Sequence, residues 1–206
     1  MNNILLHMFL RTRLFWHMQT GVATSHMTTA ILIIDMQVGL MEGPPAAYRA
    51  EDTLKTVRRI IDQAHTTNIP VFYVQDQDVG AVGSRRWQIH PAIAPTQSDI
   101  VLQKPWGDSF YKTNLQDRLA QRGITQLIIA GMKTDACVDL TSRRAVALGY
   151  DVVLVADAHT TTDDETFTAS QIVAYHNDLL AGFGANDGFG CGKHWIEVKP
   201  SHELSF

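Results

Sequence analysis

Apolar residues in this chain gather into short unbroken runs that alternate with stripes of helical spacing. Thr29-Ala30-Ile31-Leu32-Ile33-Ile34 is the first run, and Asp35-Met36-Gln37 closes it. Further runs lie at Val71-Phe72-Tyr73-Val74-Gln75, Ile100-Val101-Leu102-Gln103-Lys104, Gln126-Leu127-Ile128-Ile129-Ala130, Val152 to Ala156 and Trp195-Ile196-Glu197-Val198. Each is short and bounded by turn or polar residues, which predicts buried strands. Between them, Leu54, Val57, Ile60, Ile61 and Ala64 recur at helical spacing, as do Val138, Thr141, Ala145 and Leu148. Leu115 and Leu119 ahead of Gly123 predict another helix, and the segment from Asp164 to Ala181 a last one. Asn68-Ile69-Pro70 and Gly149 supply stops. Gly39 to Pro45 reads as loop, and Asp76 to Ser98 as a long polar loop of the kind that shapes a pocket. Strands alternating with helices predict an α/β fold: one domain, a parallel sheet, helices on both faces.

Length and composition narrow this picture. The 206 residues suit one domain that buries about two thirds of its unfolded surface, expected over residues 27–206. A net charge of -4 gives no nucleic-acid footprint. No stretch reaches the ~18 apolar residues a membrane span needs. Residues 1–26 stand apart, with Arg11 and Arg13, no Asp or Glu, and an apolar mix from Leu5 to Trp16. Such an extension fits a transit segment, an interfacial helix or an upstream start ahead of Met27. The two cysteines, Cys137 and Cys191, have neither zinc nor thioredoxin spacing. Two free thiols in a reducing, cytoplasmic setting are expected.

Candidate chemistry sits where apolar runs end. Cys137 follows a strand and a short turn and opens a helix pattern, where the helix dipole and free amides favour a thiolate and can hold an oxyanion. The ordinary alternative is a buried structural cysteine. Asp35 ends the first run and Lys104 the third. In an open parallel sheet the C-terminal strand ends face the ligand crevice. An acid, an ammonium and a thiol at equivalent strand ends therefore suggest one site.

Leu32-Ile33-Ile34-Asp35-Met36-Gln37, then Lys104 with Gly107-Asp108-Ser109-Phe110, then Gly131-Met132-Lys133-Thr134-Asp135-Ala136-Cys137-Val138 carry a specific resemblance. Arg144 to Val152, Val155-Ala156-Asp157-Ala158 and His176-Asn177 continue it, so that it covers roughly Thr29 to Ala181. The chain resembles the isochorismatase-like cysteine hydrolases, nearest to the subgroup of amide and lactam hydrolases that contains streptothricin hydrolase. The resemblance implies a catalytic Asp-Lys-Cys triad at Asp35, Lys104 and Cys137. It also implies an oxyanion hole from the Lys133 and Cys137 amides, with a cis peptide at Met132–Lys133, and a homo-oligomer of at least two chains. The expected reaction is cleavage of a C–N bond in a small amide, lactam, carbamoyl or ureido compound through a thioester. Vinyl-ether hydrolysis of the isochorismatase type, or a non-catalytic binding role, are the alternatives. True isochorismatases lack the cysteine, so Cys137 argues for C–N cleavage.

No cofactor or metal is expected. Nicotinamidase-like members carry an Asp-x-His pair after the second strand, whereas this chain reads Gln75-Asp76-Gln77-Asp78. Asp76 and Asp78 leave a weak cation site open, but hard-cation sites usually need more oxygen ligands, and a solvated acidic loop is the ordinary reading. His90 and His159 read as isolated loop or capping residues, and His176-Asn177 as structural. Trp106, Phe110 and Trp87 are the candidate pocket walls.

Overall fold

The computed structural model describes residues 28–185 and 192–206. The extension 1–26 and Cys191 lie outside the described residues. Six strands form one sheet: β1 (Thr29–Ile34), β2 (Val71–Asp76), β3 (Ile100–Lys104), β4 (Gln126–Met132), β5 (Asp151–Thr160) and β6 (Ile196–Lys199). Their order is β3-β2-β1-β4-β5-β6, and every neighbouring pair is parallel. The helices are α1 (Val38–Met41), α2 (Ala50–Thr66), α3 (Leu115–Ala120), α4 (Asp139–Ala147) and α5 (Ala169–Leu180).

Strand side chains alternate between two cores, as the period of two requires. Leu32, Ile34, Phe72, Val74, Leu127, Ile129, Val152 and Leu154 face a core shared with Leu115 and Leu119 of α3, Ala145 and Val146 of α4, and Leu180 of α5. Ile31, Ile33, Val71, Tyr73, Ile128, Ala130, Val153 and Val155 face a second core, where the α2 stripe of Leu54, Val57, Ile60, Ile61 and Ala64 packs. Both sheet faces are thus covered, which is why the strands read as unbroken apolar runs.

β5 outlasts its apolar run. The run ends at Ala156, but pairing continues to Thr160 because β4 shifts register between Ile129 and Gly131 and then meets His159 and Thr160. Gly131 is required at that point. Its φ is +142°, and a Cβ there would lie 2.2 Å from the Ile34 carbonyl oxygen. The Cys137 helix also opens differently from the prediction. A π turn over Thr134–Val138 precedes α4, and Cys137 belongs to that turn.

Candidate functional site

The chain leaves β1 toward β2 on one side and returns beside β1 as β4 on the other, so the sheet's switch point lies between β1 and β4. Ligands of open α/β sheets bind in the crevice at such a point. Four consecutive strands in space, β3, β2, β1 and β4, deliver Lys104, Asp76, Asp35 and, after the turn, Cys137 to it.

Asp35 directly follows β1 in the left-handed region, at φ 52°, a conformation that aspartate tolerates better than most residues. Its amide still donates to Val74, so the turn away from the strand begins at this residue. Lys104 is 0% exposed and Asp35 1%. Lys104 Nζ lies 2.8 Å from Asp35 Oδ2, 2.9 Å from Asp76 Oδ2 and 3.4 Å from Cys137 Sγ. One buried ammonium thus gathers two carboxylates and the thiol. Beyond the Lys104 ammonium and the Cys137 thiol, the Asp35 carboxylate has no hydrogen-bond donor among the described residues, so it keeps capacity for a proton.

The electrostatics follow from burial. Burial pushes Asp35 up from the ordinary carboxylate range to about 7, although the Lys104 charge pulls the other way. Burial and the Asp35 charge push the Cys137 thiol up to about 12, against Lys104. Desolvation and the nearby carboxylate thus favour a resting thiol, whatever the helix terminus contributes toward a thiolate. Burial works against the Lys104 ammonium, but the Asp35 charge and the hydrogen bonds to Asp35 and Asp76 more than offset it, and its proton is held firmly.

Asp76 escaped the sequence reading as a partner of Lys104. The signal was register: Asp76 and Lys104 are the terminal residues of adjacent strands and pair directly. Gln37 secures Asp76 from behind, accepting its amide at 2.8 Å and donating to its carbonyl at 3.0 Å. Asp78 does not join it. Its side chain is exposed, and only its amide takes part, donating to Asp76 Oδ1. Asp35, Asp76 and Cys137 bring ligand atoms within 4.8 Å of one another, a spacing a cation accepts. Lys104 Nζ already contacts all three groups. The donor set therefore fits an ammonium better than a divalent ion, which needs more oxygen ligands.

In the turn, the Lys133 carbonyl accepts the amides of Ala136 at 3.2 Å and Val138 at 3.0 Å. The Met132–Lys133 peptide is cis. The aromatic candidates separate. Trp106 is 64% exposed and lines an open hollow of about 400 Å³ with Asp108, Tyr111 and Leu140. Gly107 joins this hollow to the thiol, since a Cβ there would lie 3.9 Å from Cys137 Sγ and 3.4 Å from Leu140. Phe110 is not a pocket wall. It is 8% exposed and stacks on Tyr150 at 5.9 Å within the core, because the 108–110 turn points it inward. Trp87 acts through its backbone: its carbonyl accepts from Gln37 and Gln75, which ties the long loop to the end of β2. His159 is neither on the surface nor a cap. It is 3% exposed and bonded on both ring nitrogens. His90 does cap, its Nδ1 accepting the Ala92 amide.

Fold and site together define a parallel α/β protein with an acid, an ammonium and a thiol in one crevice. The isochorismatase domain matches residues 29–176, and the chain belongs to that family of hydrolases. It is 32% identical over 143 residues to the isochorismatase family protein YddQ of Bacillus subtilis (strain 168), covering 66% of this chain and 79% of that one. It is 33% identical over 138 residues to streptothricin hydrolase of Streptomyces noursei, covering 65% of this chain. The match spans only 55% of that enzyme's length. The crystal structure of N-carbamoylsarcosine amidase from Thermoplasma acidophilum superposes with a TM-score of 0.69 at 26% identity, covering 87% of this chain and 100% of that one. No helix among the described residues is long and apolar enough to cross a membrane.

Proposed function

We propose that this hydrolase cleaves a C–N bond of a small amide, lactam, carbamoyl or ureido compound through a thioester on Cys137. The observation that carries the reading is a thiol 3.4 Å from a buried ammonium, beside a carboxylate poised at about 7. That value lets Asp35 both accept and return a proton near neutrality. N-carbamoylsarcosine amidase and ureidoacrylate amidohydrolase, among the similar proteins, are amide hydrolases by name and support this over vinyl-ether chemistry.

In this reading Asp35 takes the Cys137 proton as sulfur attacks the carbonyl carbon. Lys104 stabilises the thiolate as it forms, so the high resting pKa is overcome only along the reaction coordinate. The Lys133 and Cys137 amides hold the oxyanion. The C–N bond breaks, and Asp35 hands its proton to the departing nitrogen. A water, deprotonated by Asp35, then attacks the thioester carbon, the acid leaves, and the proton returns to sulfur. Atoms balance as amide plus water giving acid plus amine. No cofactor enters these steps. Trp106, Tyr111 and Leu140 offer the apolar wall for the substrate.

The same reading includes a homo-oligomer, supported by the exposed side chains of Trp106, Phe167, Tyr175 and Leu179, and a cytoplasmic setting, supported by the free Cys137 thiol. Light scattering at micromolar concentration tests the first, with a monomer mass as the contrary result. The decisive experiment is peptide mass spectrometry after brief exposure to a panel of small amides, lactams and carbamoyl compounds. An acyl adduct on Cys137 is expected. Undiminished turnover by Cys137→Ala overturns the thioester route and favours an isochorismatase-type reaction.

A further inference from the structure

His159 and the His176-Asn177 pair take no part in the chemistry above, yet they are built into the back of the same turn. His159 Nδ1 lies 2.8 Å from Thr134 Oγ1, and Nε2 lies 2.8 Å from Asn177 Oδ1. Asn177 Nδ2 donates to the Ala156 carbonyl at 3.1 Å, which fixes the amide with its oxygen toward the ring. Nε2 therefore carries the hydrogen, and Nδ1 accepts from the Thr134 hydroxyl. Thr134 is the first residue of the π turn that contains Cys137. The next residue is held from the same side, since Thr161 Oγ1 donates to Asp135 Oδ1 at 2.6 Å. Between the two, Thr160 Oγ1 donates to the Tyr48 carbonyl and anchors the end of β5 itself. Thr134, Thr160 and Thr161 are all fully buried.

We propose that His159 is a positioning residue for Cys137: a neutral ring bridging Asn177 and Thr134, it sets the turn that aims the thiol at Asp35 and Lys104. This rests on Cys137 being the reacting atom. Only a neutral ring can accept the Thr134 hydroxyl, because an imidazolium carries hydrogen on both nitrogens. The surroundings keep it neutral. Burial is the main cause, pushing the ring down to about 4, and His176 on α5 adds to it. The Asn177 hydrogen bond and Asp157, on the same strand, oppose this without overturning it. Arg49, Asp52 and Asp157 line a cavity of about 170 Å³ together with His159, and Arg49 and Asp52 bring one charge of each sign.

Iodoacetamide alkylation of Cys137 tests the idea without any substrate, with peptide mass spectrometry separating Cys137 from Cys191. Thr134→Val removes the hydroxyl and keeps the shape, whereas Thr134→Ser keeps the hydroxyl. Thr134→Val and His159→Gln are expected to change the alkylation rate by about tenfold or more while far-UV circular dichroism stays native, with Thr134→Ser within about twofold of wild type. Asn177→Asp places a carboxylate on Nε2, favours the imidazolium, and is expected to move the acid limb of Cys137 alkylation to higher pH. With a turned-over amide, the same variants lower kcat and leave KM. Equal alkylation rates in wild type and Thr134→Val overturn the proposal. If Thr134→Val does not fold, an unmoved acid limb in Asn177→Asp overturns it instead. Absent amide turnover by a wild type whose alkylation responds to these variants overturns the proposed reaction and leaves this role standing.

Discussion

Two buried polar clusters sit at the C-terminal end of the sheet, and they are built on opposite principles. Around Lys104, three ionisable partners share one ammonium, and Asp35 has no hydrogen-bond donor from outside this cluster among the described residues. Around His159, every hydrogen bond joins neutral groups and both ring nitrogens are satisfied. Burial acts on both, but in opposite directions, raising Asp35 to about 7 and lowering His159 to about 4. A satisfied neutral network costs little and holds shape, whereas a charged cluster with spare acceptor capacity stores the means of moving a proton. The difference separates the part of the site proposed to react from the part proposed to hold it in place.

The sharpest way to break this division is to remove one member of each cluster. Cys137→Ala is expected to lower turnover of any cleaved amide by about ten-thousand-fold or more, with Cys137→Ser and Asp35→Asn nearly as low. His159→Gln is expected to cost only about ten- to a hundredfold in kcat. Steady-state assays of the four variants on one amide check this, and equal losses erase the distinction.

Stability gives the next contrast. Lys104→Met leaves Asp35 and Asp76 facing each other without their cation, and a loss of about 3 kcal/mol in urea unfolding is expected. Protonation of Asp35 limits the damage, so the loss should be smaller at pH 5 than at pH 8.

The two clusters should also drive stability in opposite directions with pH. Between its ordinary value of 3.8 and about 7, folded Asp35 keeps a proton that the unfolded chain has released. Its contribution is therefore fullest at low pH and is lost as pH rises to about 7. His159 refuses, between 6.5 and about 4, a proton that the unfolded chain takes up. Its contribution is fully present above 6.5 and is lost as pH falls toward 4. Relative to wild type, Asp35→Asn should thus gain stability as pH rises from 4 to 7, while His159→Gln should lose it. Each slope is expected to amount to a few kcal/mol, since one pKa unit corresponds to about 1.4 kcal/mol. Urea midpoints of the three proteins across this range check the signs, and slopes of the same sign contradict the contrast.

Trp106 lies outside both clusters and sets the scale of a small effect. Trp106→Ala should raise KM a few-fold and leave stability within about 0.5 kcal/mol, because the side chain is exposed. A loss of kcat instead would place it among the positioning residues.

Alternating apolar runs and helical stripes were enough to foresee the parallel α/β sheet, since strand and helix periods are local properties of the chain. Strand ends, read against the general geometry of open sheets, were enough to bring Asp35, Lys104 and Cys137 together as candidates. Several matters depended on distant partners and waited for the tertiary structure. Asp76 joins Lys104 only through the register of β2 on β3. Phe110, pointed inward by the 108–110 turn, finds Tyr150 in the core to stack on. His159 is buried because a shift in β4 prolongs β5, and its role depends on Asn177, 18 residues away. The strength with which Cys137 keeps its proton also waited for the structure, because a helix terminus can be seen in a sequence whereas the desolvation that raises the thiol cannot. The sequence by itself thus determined which elements form and which chemical groups lie at their ends. Only the tertiary structure decided which groups touch and which are cut off from water, because burial and contact arise from segments far apart in the chain.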